Sequence, residues 1–208
     1  MGEAQPALVE QAHAESVDSG ATGARQLRLE LDVVGLQHAE RDGQGRAGLA
    51  ALATKGRANP QSVVTLKAKT VCESKFRNLT YVRDLEAHVI DEPPHLLGDD
   101  TAPNPSEAVL ATLGSCLSVG LHANAVARGI TLTRLELELE GDINVTAVWG
   151  VGDIDPLKKL GFTDVRVKVH LEGNASEAEL QDLVAHSNTW SPVANTLRNP
   201  VNVSVELG

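Results

Sequence analysis

The stretch that decides the fold is NPSEAVLATLGSCLSVGLHANAVARG, residues 104–129. Asn104 is a good N-cap residue, and Pro105 suits the first position of a helix. No Asp, Glu, Lys or Arg occurs from Ala108 to Ala127. A helix that is apolar or small on all sides is buried. The sequence therefore predicts a buried central helix from about Asn104 to Arg128, with Cys116 near its middle.

Strand patterns lie on both sides of this helix, because apolar residues alternate with polar ones. After it they occupy Leu135–Glu140, Val165–Leu171 and Val201–Leu207; before it, Leu27–Val33, Ser62–Glu73 and Asn78–Asp91. Strands with one apolar face are typical of an antiparallel sheet covered on one side. The acidic outer row of the first strand after the helix could face the basic row of the second. The fold class is α+β.

Three further helices and the domain limits follow from capping and composition. Ser176 and Glu179 form a capping box for a helix to about His186, and Ser191-Pro192 begins a short helix to Arg198. A short helix is predicted at 46–56. We expect a flexible tail at 1–25 and a single domain at 26–208, with an N-terminal extension at 26–60 and an inserted loop at 143–160.

Composition limits the classes of function. The 208 residues carry a formal charge of −10, which disfavours binding to nucleic acid. No apolar run approaches the roughly 18 residues of a bilayer span, and the N-terminus lacks the pattern of a signal peptide. Two cysteines cannot form a disulfide framework, so we expect a cytoplasmic protein. The seven histidines show no metal-ligand spacing, and we expect no cofactor, metal or membrane partner.

The segment GQGRAG at 43–48 matches the glycine pattern of a dinucleotide-binding loop. Such a loop needs a strand directly before it and an acidic residue about 20 positions later. Polar residues precede it instead, and the later region is uncharged. We interpret the segment as a turn.

The two cysteines differ in their predicted positions. Cys72 shares the apolar face of its strand, which predicts a core position. Cys116 lies in the middle of a helix, where the helix dipole gives little help to a thiolate. Residue chemistry alone therefore favours an inert core cysteine at both positions.

The surroundings of Cys116 change this interpretation. The string TAPNPSEAVL at 101–110, leading to GSCL at 114–117, resembles the OsmC/Ohr family of osmotically inducible and organic hydroperoxide resistance proteins. Three further segments fit the same pattern: VIDEPP at 89–94, ARGI at 127–130 and SPVANTLRNPV at 191–201. The resemblance extends from about Gln61 to Leu207.

The resemblance implies an intertwined homodimer in which antiparallel sheets wrap two long central helices. It places the family's peroxidatic cysteine at Cys116. The arginine that orients this cysteine matches Arg77 best, with Arg83 as second choice. The available carboxylate is Glu107, although some members carry the glutamate one position earlier, where this chain has Ser106.

One departure from the family concerns the second, resolving cysteine, whose position is occupied by Ser191. A hydroxyl cannot resolve a sulfenic acid into a disulfide, and Cys72 is the only other thiol. We therefore expect a thiol-dependent peroxidase or hydroperoxide-stress protein that uses Cys116 alone, with an external thiol as reductant. The alternative is a non-catalytic dimer of the same fold that binds a small hydrophobic ligand.

Overall fold

The computed structural model describes residues 42–146, 148–152 and 160–208. The predicted tail at 1–25, the predicted strand at Leu27–Val33 and the centre of the predicted inserted loop lie outside these residues. Residues 44–208 form one compact unit.

Helices and strands follow one another in a mixed order. The helices are α1 (Asp42–Ala58), α2 (Pro105–Arg128), α3 (Glu177–Trp190) and α4 (Pro192–Arg198), with single 3₁₀ turns at Pro94–Leu96 and Val148–Gly150. The strands are β1 (Lys69–Ser74), β2 (Arg77–Tyr81), β3 (His88–Ile90), β4 (Leu132–Asn144) and β5 (Gly161–Gly173). They form an antiparallel β1-β2-β3 sheet and an antiparallel β4-β5 hairpin. This is the predicted α+β class.

The core lies between α2 and the β4-β5 hairpin, with α3 and α4 closing it. Buried residues recur at every fourth position of α2, as one helical face requires. One buried cluster contains Leu113, Leu117 and Ala194 of α4, and the other contains Leu121, Ala125 and Leu183 of α3. The apolar rows of β4 and β5 pack against both clusters. The middle of α2 is thereby held rigidly beside the start of α4.

Gly114 shows why the central helix contains glycine. A Cβ at this position would lie 2.9 Å from Cδ1 of Leu139 on β4, which is closer than carbon atoms pack. The missing side chain lets the hairpin approach the helix. A leucine side chain of β4 makes this close approach.

The outer face of the β4-β5 hairpin is charged, as predicted. Glu136, Glu138 and Glu140 pair in register with His170, Lys168 and Arg166. The alternation of apolar and charged residues in both strands therefore correctly predicted that the acidic row of β4 faces the basic row of β5. The ion pairs Arg166–Glu140 and Lys168–Glu138 on this face are exposed and contribute little individually.

Two strand predictions are wrong over part or all of their length. The strand predicted from Ser62 begins only at Lys69, and residues 201–208 have no regular structure. The side chains of Val203 and Leu207 are 81% and 103% exposed. Cys72, predicted to be buried, is exposed, as are the other five residues of β1. Alternation identifies the face of a strand but does not supply a partner for it.

The glycine segment at 43–48 is helical, so its interpretation as a turn is wrong. Helix α1 begins at Asp42, earlier than the predicted Arg46. A Cβ on Gly45 would lie 3.4 Å from Val126 of α2, and one on Gly129 would lie 3.0 Å from the Arg46 guanidinium. Gly129 therefore allows close packing at the end of α2, whereas a Cβ on Gly45 would make an ordinary contact.

Helix α2 is buried on one side only. Val119, on the other side, is 70% exposed, so the prediction of burial on all sides is wrong for the single chain. By length and mean hydropathy α2 could cross a membrane, contrary to the expectation that no such segment exists. Its contacts with β4, α3 and α4 are those of a core helix.

Candidate functional site

Cys116 lies on α2 opposite the junction between α3 and α4. Its side chain is half-buried, and its Sγ is 3.2 Å from Oγ of Ser191. Ser191 is 4% exposed and lies between the end of α3 and Pro192, the first residue of α4. The structure thus brings the candidate cysteine and the serine at the position of the missing second cysteine into contact.

Ser191 is held in place by its role as the N-cap of α4. Its Oγ accepts a hydrogen bond of 3.1 Å from the backbone N–H of Ala194. Its backbone carbonyl accepts hydrogen bonds from Asn195. Pro192 fixes the backbone at the first helical position, where no N–H is required. The local sequence therefore fixes the direction in which the Ser191 hydroxyl faces Cys116.

A pocket of about 440 Å³ opens beside Cys116, and its surface is mainly apolar. Its walls are formed by α2 and by the end of α3, and they include Val119, Gly120, Ser187 and Trp190. Trp190 is 72% exposed, so one side of the pocket is open to solvent. Such a concave, mostly apolar surface with few polar groups is typical of small-molecule sites.

Ser187 is a pocket residue that the sequence analysis did not identify. It is 2% exposed, and its Oγ has no hydrogen-bond partner among the described residues. Ser187 lies one helical turn before Ser191, and this spacing was the available signal.

Arg77, the candidate orienting cation, forms its hydrogen bonds elsewhere. Its Nε is 2.6 Å from Oε2 of Glu73, and its Nη1 donates to Oγ1 of Thr101 at 2.8 Å. Among the described residues the structure shows no hydrogen bond from Arg77 to Cys116. Arg83, the second choice, is exposed in the turn after β2.

Thr101 connects Arg77 to a buried carboxylate, Asp91. Thr101 donates to Oδ2 of Asp91 through its backbone N–H at 3.0 Å and through its hydroxyl at 2.7 Å. These bonds stabilise the ionised form and lower the pKa of Asp91 to about 2. Arg77 therefore belongs to a network that fixes the loop before α2.

Glu107, the candidate carboxylate, caps the start of α2. Its Oε2 accepts from the backbone N–H of Asn104 at 2.8 Å, and its own N–H donates to Oδ1 of Asn104 at 2.8 Å. Cys116 is nine residues further along the helix, or about 13 Å. Within the single chain, Glu107 is therefore not brought to Cys116.

A second carboxylate near the start of α2 was also missed in the sequence. Burial raises the pKa of Glu92, and the nearby charges of Asp91 and Glu107 raise it further. Its Oε2 is buried and has no hydrogen-bond partner among the described residues. Glu92 follows the buried Asp91 directly, and the acidic pair lies in the segment VIDEPP at 89–94 that fitted the family pattern, which was the available signal.

Comparison with known proteins extends these observations. The chain is similar in fold to an OsmC-like protein from Mycoplasma pneumoniae, with a TM-score of 0.55, 17% identity and coverage of 66% of this chain and 89% of that one. It is also similar to an OsmC-like protein of unknown function from Vibrio cholerae O1 biovar eltor, with a TM-score of 0.52, 14% identity and coverage of 64% and 94%. No curated protein matched the chain.

A hypothetical protein from Aquifex aeolicus VF5 gives a further likeness, with a TM-score of 0.51, 15% identity and coverage of 65% of this chain and 89% of that one. At these identities the likenesses establish the fold. The family model described as OsmC-like protein matches residues 98–206, which is more than half of the chain and includes both Cys116 and Ser191. The chain therefore belongs to the OsmC-like protein family.

Proposed function

We propose that this protein is a thiol-dependent peroxidase for organic hydroperoxides, with Cys116 as its single peroxidatic cysteine. The observation that carries the proposal is the half-buried thiol of Cys116 at the edge of an apolar pocket, within 3.2 Å of the Ser191 hydroxyl. The pocket suits the apolar part of such a substrate, and membership of the OsmC-like family supports the chemistry.

The proposed reaction is a two-electron transfer from sulfur to oxygen. The Cys116 thiolate attacks the terminal oxygen of the hydroperoxide, the O–O bond breaks, and a sulfenic acid forms on sulfur. The leaving alkoxide takes up the proton that the thiol released on ionisation and becomes an alcohol. An external thiol then displaces hydroxide from the sulfenic acid as water, giving a mixed disulfide. A second external thiol releases Cys116 and leaves as the external disulfide.

An external reductant is required because the chain has no suitable second thiol near Cys116. Ser191 cannot form a disulfide, and Cys72 lies on the β1-β2-β3 sheet, where its Sγ is 3.5 Å from the Lys75 carbonyl. The proposal assigns no contact between Cys116 and either Arg77 or Glu107 in the single chain, because both are bonded elsewhere.

We include homodimerisation in the proposal. Apolar side chains of α2 and of the C-terminal segment are exposed, among them Val119 at 70% and Val203 at 81%. Exposed apolar surface of this extent marks an interaction site. A second copy of the chain would cover it, and light scattering at micromolar concentration should give twice the mass of one chain. A monomer would refute this part of the proposal.

The test of the proposed activity compares two cysteine variants. With a dithiol reductant and an aromatic or alkyl hydroperoxide, Cys116→Ser should abolish peroxide consumption. Cys72→Ser should leave it unchanged. Equal loss in both variants, or no activity in the parent, would contradict the proposal.

A second candidate function is supported by the same pocket. No lysine or arginine of the described residues lines the pocket beside Cys116, and the pocket surface is mainly apolar. A protein that only binds a small hydrophobic ligand would need no more than this. Such a protein would bind the ligand equally well in the parent chain and in Cys116→Ser. The parent chain would consume no peroxide.

A further inference from the structure

The hydroxyl of Ser191 makes two hydrogen-bond contacts among the described residues. It accepts from the Ala194 N–H at 3.1 Å, and it lies 3.2 Å from the sulfur of Cys116. A serine hydroxyl has one proton and two lone pairs. The proton cannot point at Ala194, because that contact is already made by an N–H donor. It is therefore free to point at the sulfur.

The hydrogen bond between Cys116 and Ser191 can run in either direction while the thiol is neutral, but in only one direction once the thiol is ionised. A neutral thiol can donate to Oγ of Ser191 or accept from it, whereas a thiolate can only accept. In the state that reacts, Ser191 must therefore be the donor. Ser191 is 4% exposed, so water has little access to replace it.

Neither of the two charged candidates, Arg77 and Glu107, forms a hydrogen bond to Cys116 within the described residues. Arg77 donates to Glu73 and Thr101, and Glu107 accepts from Asn104. The pocket beside the sulfur is mainly apolar and would not favour a charge. Among the hydrogen bonds of the described residues, the Ser191 hydroxyl makes the contact to the reactive sulfur.

We infer that Ser191 is a positioning residue that donates its hydroxyl proton to the Cys116 thiolate and orients the reacting sulfur. Ser191 therefore has a different role from the resolving cysteine whose position it occupies. It prepares the Cys116 sulfur for its attack on the hydroperoxide and takes no part in the later reduction of the sulfenic acid. The importance of this role for catalysis rests on the proposed function. The hydrogen bond itself does not.

The test uses the full chain with Cys72→Ser, so that Cys116 is the only thiol. Its alkylation by iodoacetamide is followed against pH, and the thiolate is followed by its ultraviolet absorbance. Ser191→Ala should lower the alkylation rate at neutral pH by about tenfold, which is the effect expected for one hydrogen bond to a charged group. It should also move the pH profile of alkylation to higher pH. Ser191→Thr, which keeps a hydroxyl, should restore most of the rate.

Two further variants separate this effect from the loss of a helix cap. Ser191→Gly removes the hydroxyl but is tolerated at an N-cap, and it should give the same low rate. Ser176→Ala is the matched control, because Ser176 caps α3 by accepting from the Glu179 N–H in the same way. It should leave the pH profile unmoved.

The result that would overturn the inference is an unmoved pH profile in both Ser191→Ala and Ser191→Gly, or an equal shift in Ser176→Ala. Alkylation requires no peroxide, so this outcome is independent of the peroxidase activity. A shifted profile in a protein that does not consume hydroperoxide would refute the proposed function and leave the hydrogen bond established.

Discussion

Replacing Ser191 by cysteine should allow a disulfide to Cys116. The present Sγ to Oγ distance is 3.2 Å, and a disulfide needs about 2.0 Å between its sulfurs. The two side-chain atoms must therefore approach by about 1.2 Å, and the C–S bond of the introduced cysteine, which is longer than the C–O bond of serine, supplies part of this approach. Both helices hold the pair in contact, so we expect the bond to form with small local shifts when peroxide is added.

The stability of this variant follows from two opposing effects. A thiol is a weaker acceptor than a hydroxyl, so the reduced variant should lose about 1 kcal/mol of N-cap stabilisation. The disulfide would join residues separated by 75 positions, which in the chain-entropy model stabilises the fold by at most about 4.5 kcal/mol. The oxidised variant should therefore exceed the reduced one in Tm by at most about 9 to 18 °C.

The assay is peptide mapping after treatment with peroxide, together with thermal unfolding before and after reduction. Turnover with a dithiol should rise above that of the parent, because a disulfide is more readily recycled than a sulfenic acid. Ser176→Cys is the control: it loses a comparable cap at the opposite end of α3, about 22 Å from Ser191, and should not link to Cys116. Absence of a linkage in Ser191→Cys would refute the contact on which the site is built.

Three further predictions concern the surroundings of the site. Arg77→Ala should lower the free energy of unfolding, measured with urea, by about 1 kcal/mol. Because Arg77 forms its hydrogen bonds to Glu73 and Thr101, the variant should leave alkylation of Cys116 unchanged. A tenfold slower alkylation would show that Arg77 reaches the sulfur in the assembled protein. Because the pKa of Asp91 is lowered to about 2, the stability that it contributes is present above pH 4 and lost as pH falls towards 2. Asp91→Asn should remove this part of the pH dependence of the urea midpoint, and an unchanged acid profile would contradict the network. In Gly120→Ala the new Cβ would lie 3.7 Å from Cβ of Ser187, an ordinary contact, so this variant should stabilise α2 by up to about 1 kcal/mol. In Gly114→Ala the new Cβ would clash with Leu139, so this variant should be the less stable of the two by thermal unfolding. The reverse order would contradict the packing of α2 on β4.

Much of the fold could be predicted because its signals are local. The N-cap at Asn104, the capping box from Ser176 to Glu179 and the alternation of β4 and β5 each depend on a few neighbouring residues. The partners of strand patterns are not local. The segment from Val201 to Leu207 alternates as clearly as β5 does, but no strand of the described chain pairs with it.

The candidate site could be predicted only in part for the same reason. The resemblance placed Ser191 opposite Cys116, and the structure shows the two in contact. It also suggested Glu107 as a site carboxylate, although the Asn-x-x-Glu pattern at the start of α2 already predicts a capping box. The bond from Arg77 to Thr101 joins residues that are distant in sequence, so no local pattern could have revealed it.

The most direct test of the account is the site at which the protein is first oxidised. The parent chain is treated with one equivalent of an organic hydroperoxide in the presence of a sulfenic acid trap, and the modified peptides are identified by mass spectrometry. The account predicts a trapped sulfenic acid on Cys116 and none on Cys72, although Cys72 is the more exposed thiol. Trapping on Cys72 alone, or on neither cysteine, would contradict it.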